Sequence, residues 1–311
     1  MTAHCVSLLL KSYRDDLEYV RRLIDSFHQH NVEGLHLYCV VPEVDIHLFK
    51  KLDAATIQIV PETVLGQYLT ATPVADTRPG YINQEVIKMS FWELGFAENY
   101  FCVDSEAVFL RDFDRSDFIA PDGFPYTILV EDNELKTDPT YYTQYWNGRE
   151  EALRKIASEI DLELDILQTC HGHQIFSSTV LRDFKENFLE HRSWSYLDAL
   201  ALAPYEFTWY NFWLQKSQVI PIHQREPLVK VFHSDKQHLE YILSGATPSD
   251  LSRGYLAALV NSNFSRARGP VDLSESKPEA LSHYLSYGEL LHLIGAKLKS
   301  SLLRSTRPTA R

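Results

Sequence analysis

The stretch YFCVDSEAVFLRDF, residues 100–113, decides the reading of this chain. Residues 99–103, NYFCV, form an apolar run of the length of a buried strand, and the acidic cluster Asp104-Ser105-Glu106 stands directly at its end. In an open α/β sheet, ligands bind beyond the carboxyl ends of the strands. Two carboxylates spaced i, i+2 at such an end can each turn an oxygen toward a common cation. Hard divalent ions such as Mg²⁺ and Mn²⁺ take carboxylate and phosphate oxygens. An acidic pair also suits a solvated surface turn, but its position immediately after a buried strand favours the cation.

Upstream of this stretch, strand and helix signals alternate. Cys5–Leu10 is a continuous apolar run that stops at Lys11-Ser12-Tyr13 and predicts a buried strand. Asp15 or Asp16 can cap a following helix, in which Leu17, Val20, Leu23, Ile24 and Phe27 recur at helical spacing. Gly34 closes that helix. Leu35–Val41 predicts a second strand and Ile57–Val60 a third, with a short helix at about 43–51 between them. Residues 70–80 read as a turn-rich loop and Tyr81–Phe96 as a helix. Such alternation implies a mostly parallel sheet with helices on both faces.

Downstream the pattern is more helical. Ala107–Leu110 and Tyr126–Val130 read as extended, and 141–167 as helix. His171–Ser177 predicts a strand, on which His171 and His173 would share one face. Residues 178–215 hold two or three helices, Val219–Ile222 and Lys230–Phe232 read as short strands, and the chain from about 235 reads as helical.

Lys+Arg number 30 against 42 Asp+Glu, a formal charge of −12, which argues against a nucleic-acid partner. Aromatic residues make up 12% of the chain, enough to line a sugar or base pocket, although core packing explains most single ones. The four cysteines, Cys5, Cys39, Cys102 and Cys170, form no CxxC pair and read as small buried hydrophobes of a reducing compartment. The N-terminus has no basic segment ahead of its short apolar run, and no apolar stretch reaches the roughly 18 residues of a membrane span. The expected location is the cytoplasm, at most peripheral at the inner face of the membrane.

Residues 81–113, with GYINQEVIKM followed by YFCVDSEAVFLRDF, resemble the donor-site region of GT-A-fold glycosyltransferases. The acidic cluster is similar to their DxD motif, with Glu106 in place of the final Asp. More closely, the chain resembles a family of uncharacterised bacterial glycosyltransferase-like proteins. That family joins an SYxxD stretch, a Q-x-x-x-K helix, a strand ending in an acidic D-x-D/E cluster, a His-rich strand and an E-x-x-x-x-N helix. This chain has SYRDD at 12–16, Gln84 and Lys88, DSE at 104–106, HGHQIFSS at 171–178 and EFTWYN at 206–211, so the resemblance spans about residues 4–240.

The resemblance implies a GT-A-like, Rossmann-like α/β fold with a mostly parallel sheet flanked by helices and a helical C-terminal extension. It divides the chain into a domain at 1–240, with a nucleotide-sugar half at about 1–113 and an acceptor half at about 114–240, and an extension at 241–311. It implies a UDP- or GDP-sugar donor, a Mn²⁺ or Mg²⁺ ion, and a saccharide or lipid-linked acceptor. Asp104 and Glu106 would hold the metal, with His233 completing its shell. Ser12, Tyr13 and Asp16 would meet the base and ribose, with Tyr13 stacking on the base. Asp15 and Asp16 fit helix capping equally well. Gln84 and Lys88, four apart on one helix face, would reach the donor sugar or its phosphates. Ser105, His171 and His173 would line the sugar pocket, and Lys236 would meet a phosphate. The alternatives are a solvated helix face for the first pair and structural roles for the histidines, since no recognisable zinc spacing surrounds them. Glu206 would be the general base of an inverting transfer, or simply a favourable charge at a helix N-terminus.

Two other functions suit this architecture. A sugar-1-phosphate nucleotidyltransferase usually opens with a Gly-rich loop, and KSYRDD at 11–16 contains no glycine. A degenerate nucleotide-sugar-binding module would have less use for the acidic pair and Glu206. At the C-terminus, Ser282–Ser305 reads as an amphipathic helix, and Lys297, Lys299, Arg304, Arg307 and Arg311 follow the last acidic residue, Glu289. Such an end can pack on the domain or lie on an anionic membrane.

Overall fold

The structure, a computed structural model, describes residues 4–130, 139–163, 168–170 and 172–261, with isolated positions between 273 and 292. Strand β1 (His4–Lys11) lies between β2 (His36–Val41) and β4 (Ala97–Val103) in a sheet of order β3-β2-β1-β4-β7. The four strands β1, β2, β3 (Ile57–Pro61) and β4 are mutually parallel, and β7 (Ile175–Ser177) closes the edge antiparallel to β4. Helices pack on the sheet, so its central strands are covered and read as unbroken apolar runs rather than alternating ones. Leu8, Leu9 and Leu10 are accordingly all buried.

Helix α1 (Leu17–His30) buries Val20, Leu23, Ile24 and Phe27 against the sheet, the stripe its sequence spacing predicts. A short helix α2 (Ile46–Phe49), flanked by 3₁₀ turns, joins β2 to β3. Helix α3 (Pro79–Ser90) starts with proline at its first turn, where the missing N–H costs nothing. It tightens to a 3₁₀ turn over Phe91–Leu94 and stops at Gly95 in the left-handed conformation (φ 66°). Short strands β5 (Val108–Phe109), β6 (Tyr126–Ile128), β8 (His223–Arg225), β9 (Val229–Phe232) and β10 (Ala257–Val260) form two small sheets, β5-β10-β9 and β6-β8. Between them run α4 (Pro139–Glu159), α5 (Ser178–Phe184), α6 (Tyr196–Leu202), α7 (Glu206–Ser217), α8 (Asp235–Ser244) and α9 (Pro248–Gly254). The mostly parallel α/β class is therefore as the sequence implies.

Three local readings fail. Residues 257–260 are a strand, paired with β9 and β5, rather than part of a helical extension. A short apolar run cannot be told from a buried helix by periodicity alone. The strand expected at Val219–Ile222 lies instead at His223–Arg225, whose polar residues carry no apolar signal. The strand expected at His171–Ser177 begins only at Ile175, because Gly172 adopts φ 133°, which breaks extended pairing ahead of it.

The large aromatic side chains mainly build the core: Trp209, Tyr100, Tyr196 and Tyr210 are fully or almost fully buried. The four cysteines are free thiols, Cys39, Cys102 and Cys170 buried and Cys5 exposed. Among the described residues, no helix is long and apolar enough to cross a membrane. His171, the side chain of Lys236 and, apart from isolated positions, the amphipathic segment predicted for Ser282–Ser305 lie outside what the structure describes.

Candidate active site

The strand order places β1 at a topological switch point. From β1 the chain proceeds to β2 and β3 on one side and later to β4 on the other, leaving a crevice beyond the carboxyl ends of β1 and β4. Leu10 pairs with Val103, so the loops that leave these strands start side by side. Ser12 and Ser105 are both buried, with their hydroxyl oxygens 3.0 Å apart. This contact joins the SYRDD stretch to the DSE cluster.

Asp16 precedes α1, yet its side chain makes no capping hydrogen bond. It turns toward the DSE loop, where a hydrogen bond from Ser105 favours its charged form. Burial, and after it the neighbouring Glu106, with smaller contributions from Asp15 and Asp104, outweigh that bond and push its pKa from 3.8 up to about 6. A carboxyl group raised in the folded chain adds stability that is fully present below the unfolded value of 3.8 and is lost as pH rises through about 6. Asp16→Asn should therefore stabilise the fold at pH 7.5 by about 1 kcal/mol, solvent screening reducing the effect for this partly exposed group, and by almost nothing at pH 4. Urea unfolding at the two pH values checks this; equal effects at both would mean that Asp16 is not held against the other carboxylates.

Behind the crevice lies a buried charged layer. The ammonium of Lys88, a residue only 4% exposed, donates to Glu206 Oε1 at 2.9 Å and lies 3.6 Å from Asp104 Oδ1. Burial by itself would lower the Lys88 pKa, but Asp104 and Glu85 outweigh it and raise it. Burial likewise works to raise Asp104, and Lys88 together with His173 reverses the sign, holding this carboxyl below its usual range. His173 Nε2 lies 3.4 Å from the Asp104 amide nitrogen and 3.5 Å from Asp104 Oδ2. Burial, against the pull of Asp104, drives the His173 pKa down to about 4, so the imidazole is neutral at pH 7. Its Nδ1 is buried without a hydrogen-bond partner, as is Glu85 Oε2. Buried polar atoms of this kind are rare in folded proteins, and a bound ligand, ion or water is what usually satisfies them.

The scaffold of this layer is specific. Tyr100 in β4 donates its hydroxyl hydrogen to the Lys88 carbonyl at 2.7 Å, fixing α3 on the strand. Helix α7 is fixed by a buried amide network. Gln174 Nε2 donates to Asn211 Oδ1 at 2.7 Å and to the Ile128 carbonyl at 3.0 Å, while Gln174 Oε1 accepts from the Ile128 amide at 3.1 Å. Glu206, in the first turn of α7, is thereby held against Lys88. The quoted motif EFTWYN thus joins Glu206 to the Asn211 that anchors its helix.

Gly172 sets the approach to His173. At φ 133° only glycine is at ease, and an added Cβ would lie 3.3 Å from Val231 Cγ2. Gly172→Ala should cost about 1–3 kcal/mol of stability, the usual cost of a side chain forced into such backbone. Chemical denaturation measures it, and a cost below 0.5 kcal/mol by that scale would show that the loop relaxes freely.

Of the residues the sequence singles out, Ser12, Asp16, Lys88, Asp104, Ser105, Glu106, His173 and Glu206 meet around this crevice through the contacts above. Tyr13 stands at its mouth, 41% exposed, where it feels both Asp16 and Glu106. Gln84 is half-buried on α3. His233 is set apart: the charges acting on it are Lys230 and Arg149, which reinforce burial in lowering its pKa to about 3. It connects to the crevice through Arg149, whose guanidinium donates to the Cys170 carbonyl at 3.1 Å. The Cys170 thiol in turn donates to the His173 carbonyl at 2.8 Å. Sequence reading missed Glu85 and Gln174, and it gave Asn211 no role. Glu85 looks like a helix-surface residue, and only its place one turn before Lys88 hints at a buried position. Among the described residues, no three His, Cys, Asp or Glu side chains come together as a ready-made metal cage. Clefts of about 240 and 340 Å³ lie elsewhere, around Cys5 and Arg115 and around Asn99 and Arg182.

No curated protein matches the sequence. Among solved structures, mouse xyloside xylosyltransferase 1 in its apo form is similar to this chain at 12% identity, covering 83% of this chain and 98% of its own, with a TM-score of 0.46. The model of a family of unknown function, DUF6492, matches residues 4–240, which is most of the chain, and the protein therefore belongs to that family.

Proposed function

We propose that this protein is a metal-dependent glycosyltransferase that moves a sugar from a nucleotide-diphosphate sugar to a saccharide or lipid-linked acceptor. The observation that carries the proposal is the meeting, at the switch point of a mostly parallel sheet, of the SYRDD loop after β1 with the DSE cluster after β4. The motif resemblance supports it. Asp104 and Glu106 would hold Mn²⁺ or Mg²⁺. The donor set fits such an ion: it is oxygen-only, and the Asp104 and Glu106 carboxylates also act on Asp16, where together with burial they disfavour a further negative charge that a cation would relieve. Two protein carboxylates are sufficient where diphosphate oxygens and waters complete the shell. The ion would neutralise charge developing on the leaving diphosphate.

Tyr13 would stack on a base, and Ser12, Asp16 and Ser105 would meet polar groups of the nucleoside. Lys88 orients Glu206, which would accept the proton of the acceptor hydroxyl. His173, neutral at pH 7, can hydrogen-bond a sugar hydroxyl through Nδ1 without adding charge. His233 and Lys236 belong to the proposal as a further metal ligand and a phosphate partner. Incubating the protein with UDP- and GDP-sugars and Mn²⁺, and following release of the nucleoside diphosphate, tests the activity. Metal-dependent hydrolysis of one donor supports an enzyme, whereas tight binding of a donor with no turnover, even with acceptors supplied, would make this chain a binding module.

A further inference from the structure

Lys88 is a single ammonium placed among three carboxyl groups. It donates to Glu206 at 2.9 Å, sits 3.6 Å from Asp104, and feels Glu85, which lies one helical turn before it. We propose that Lys88 competes with the divalent cation for Asp104 and so couples cation binding to the position of Glu206. The inference rests on the metal-site reading above, and it assigns to Lys88 a positioning role toward the chain's own carboxylates rather than toward the donor.

The two Lys88 contacts are unequal. The shorter one, to Glu206, is a hydrogen bond between two buried side chains, and the longer one reaches an Asp104 whose carboxylate is one-third exposed at the crevice. Two cations drawn to one carboxylate repel each other, and in a buried layer that repulsion is weakly screened. An Asp104 oxygen committed to a divalent cation therefore gives less to Lys88, and the ammonium shifts its remaining attraction to Glu206.

Three features let Lys88 make that shift without being stranded. Glu85 Oε2, one helical turn from Lys88, is buried without a hydrogen-bond partner, and with burial pushing this carboxyl up to about 8 it would receive the ammonium as a neutral acceptor. The Phe207 ring, its centroid 4.7 Å from Lys88 Nζ, holds the ammonium from the α7 side. His173, the other group on Asp104, faces it through Nε2, which accepts from the Asp104 N–H at 3.4 Å and so brings no proton to that carboxylate. The same linkage runs in reverse: removing the Glu206 charge leaves Asp104 as the main partner of Lys88 and should weaken cation binding.

Calorimetric titration of Mn²⁺ alone into the full chain tests this in four proteins: wild type, Lys88→Met, Glu206→Gln and the double variant, each checked for cooperative melting. Lys88→Met should bind Mn²⁺ roughly tenfold more tightly, within the usual range for linked sites. Glu206→Gln should bind about threefold more weakly, and that weakening should vanish in the Lys88→Met background, because the coupling passes through Lys88. Equal or weaker binding by Lys88→Met overturns the proposal. So does a Glu206→Gln effect that simply adds in the double variant, since that is the signature of a through-space charge. If Lys88→Met does not fold, Glu206→Gln and Lys88→Arg decide. The proposal then requires weaker binding in the first and affinity within about threefold of wild type in the second, which keeps the charge. Absence of Mn²⁺ binding in the wild type would remove the metal reading and this coupling together, whereas wild-type binding with an unaltered Lys88→Met would remove the coupling alone.

Discussion

Asp104→Ala should abolish sugar transfer and remove the Mn²⁺ dependence of nucleoside-diphosphate binding. A metal at a leaving diphosphate supplies several kcal/mol of charge stabilisation, and each 1.36 kcal/mol is a tenfold change in rate, so a fall of about 10³-fold or more is expected. The fold should persist. Lys88 keeps its 2.9 Å contact with Glu206 when Asp104 is gone, so no buried ammonium is left alone. Asp104 is also the partly exposed member of the layer, and its loss opens no apolar core. A thermal melt beside the kinetic measurement separates the two effects. Metal-dependent binding of equal strength in variant and wild type would remove Asp104 from the metal site.

Glu206→Gln should lower turnover by roughly 10²–10⁴ while leaving donor affinity at saturating Mn²⁺ almost unchanged, the pattern for loss of a general base. The substitution keeps the shape and one acceptor oxygen for Lys88, so the helix position set by Gln174 and Asn211 should survive. Glu206→Ala is a harsher change. It removes one partner of a buried pair, a change that typically costs about 3–5 kcal/mol of stability. Near-normal kcat in Glu206→Gln, together with a large stability loss in Glu206→Ala, would make this residue the counter-ion of Lys88 and nothing more.

Much of the fold was legible because the parallel strands are covered on both faces. Runs such as VSLLL and LHLYCVV are short for a helix and lie among the breakers Gly34, Pro42 and Pro61, and together length and flanks favour buried strands where periodicity alone does not decide. The acidic cluster could be placed for the same reason, since a strand end is a position that sequence reveals. What sequence concealed was long-range. Nothing local tells that Lys88 and Glu206, 118 positions apart, form a buried pair, or that Glu85 faces inward from a helix with a weak amphipathic pattern. The polar strand His223–Arg225 exists through its pairing with β6 rather than through any apolar signal of its own. Asp16 makes no capping hydrogen bond and meets instead Ser105, a residue 89 positions away that only the β1–β4 pairing brings near.

The central claim is that this crevice binds a nucleoside diphosphate through a divalent cation. The most direct measurement is the thermal unfolding of the wild-type chain with UDP and with GDP, each with and without Mn²⁺. A ligand that binds only the native state at about 100 times its Kd adds about 2.7 kcal/mol, which for a chain of this size is a rise in melting temperature of roughly 4 °C. The account predicts such a rise for at least one of the two nucleotides when Mn²⁺ is present and little or none when it is chelated. An equal rise with and without the metal, or none with either nucleotide, would contradict it.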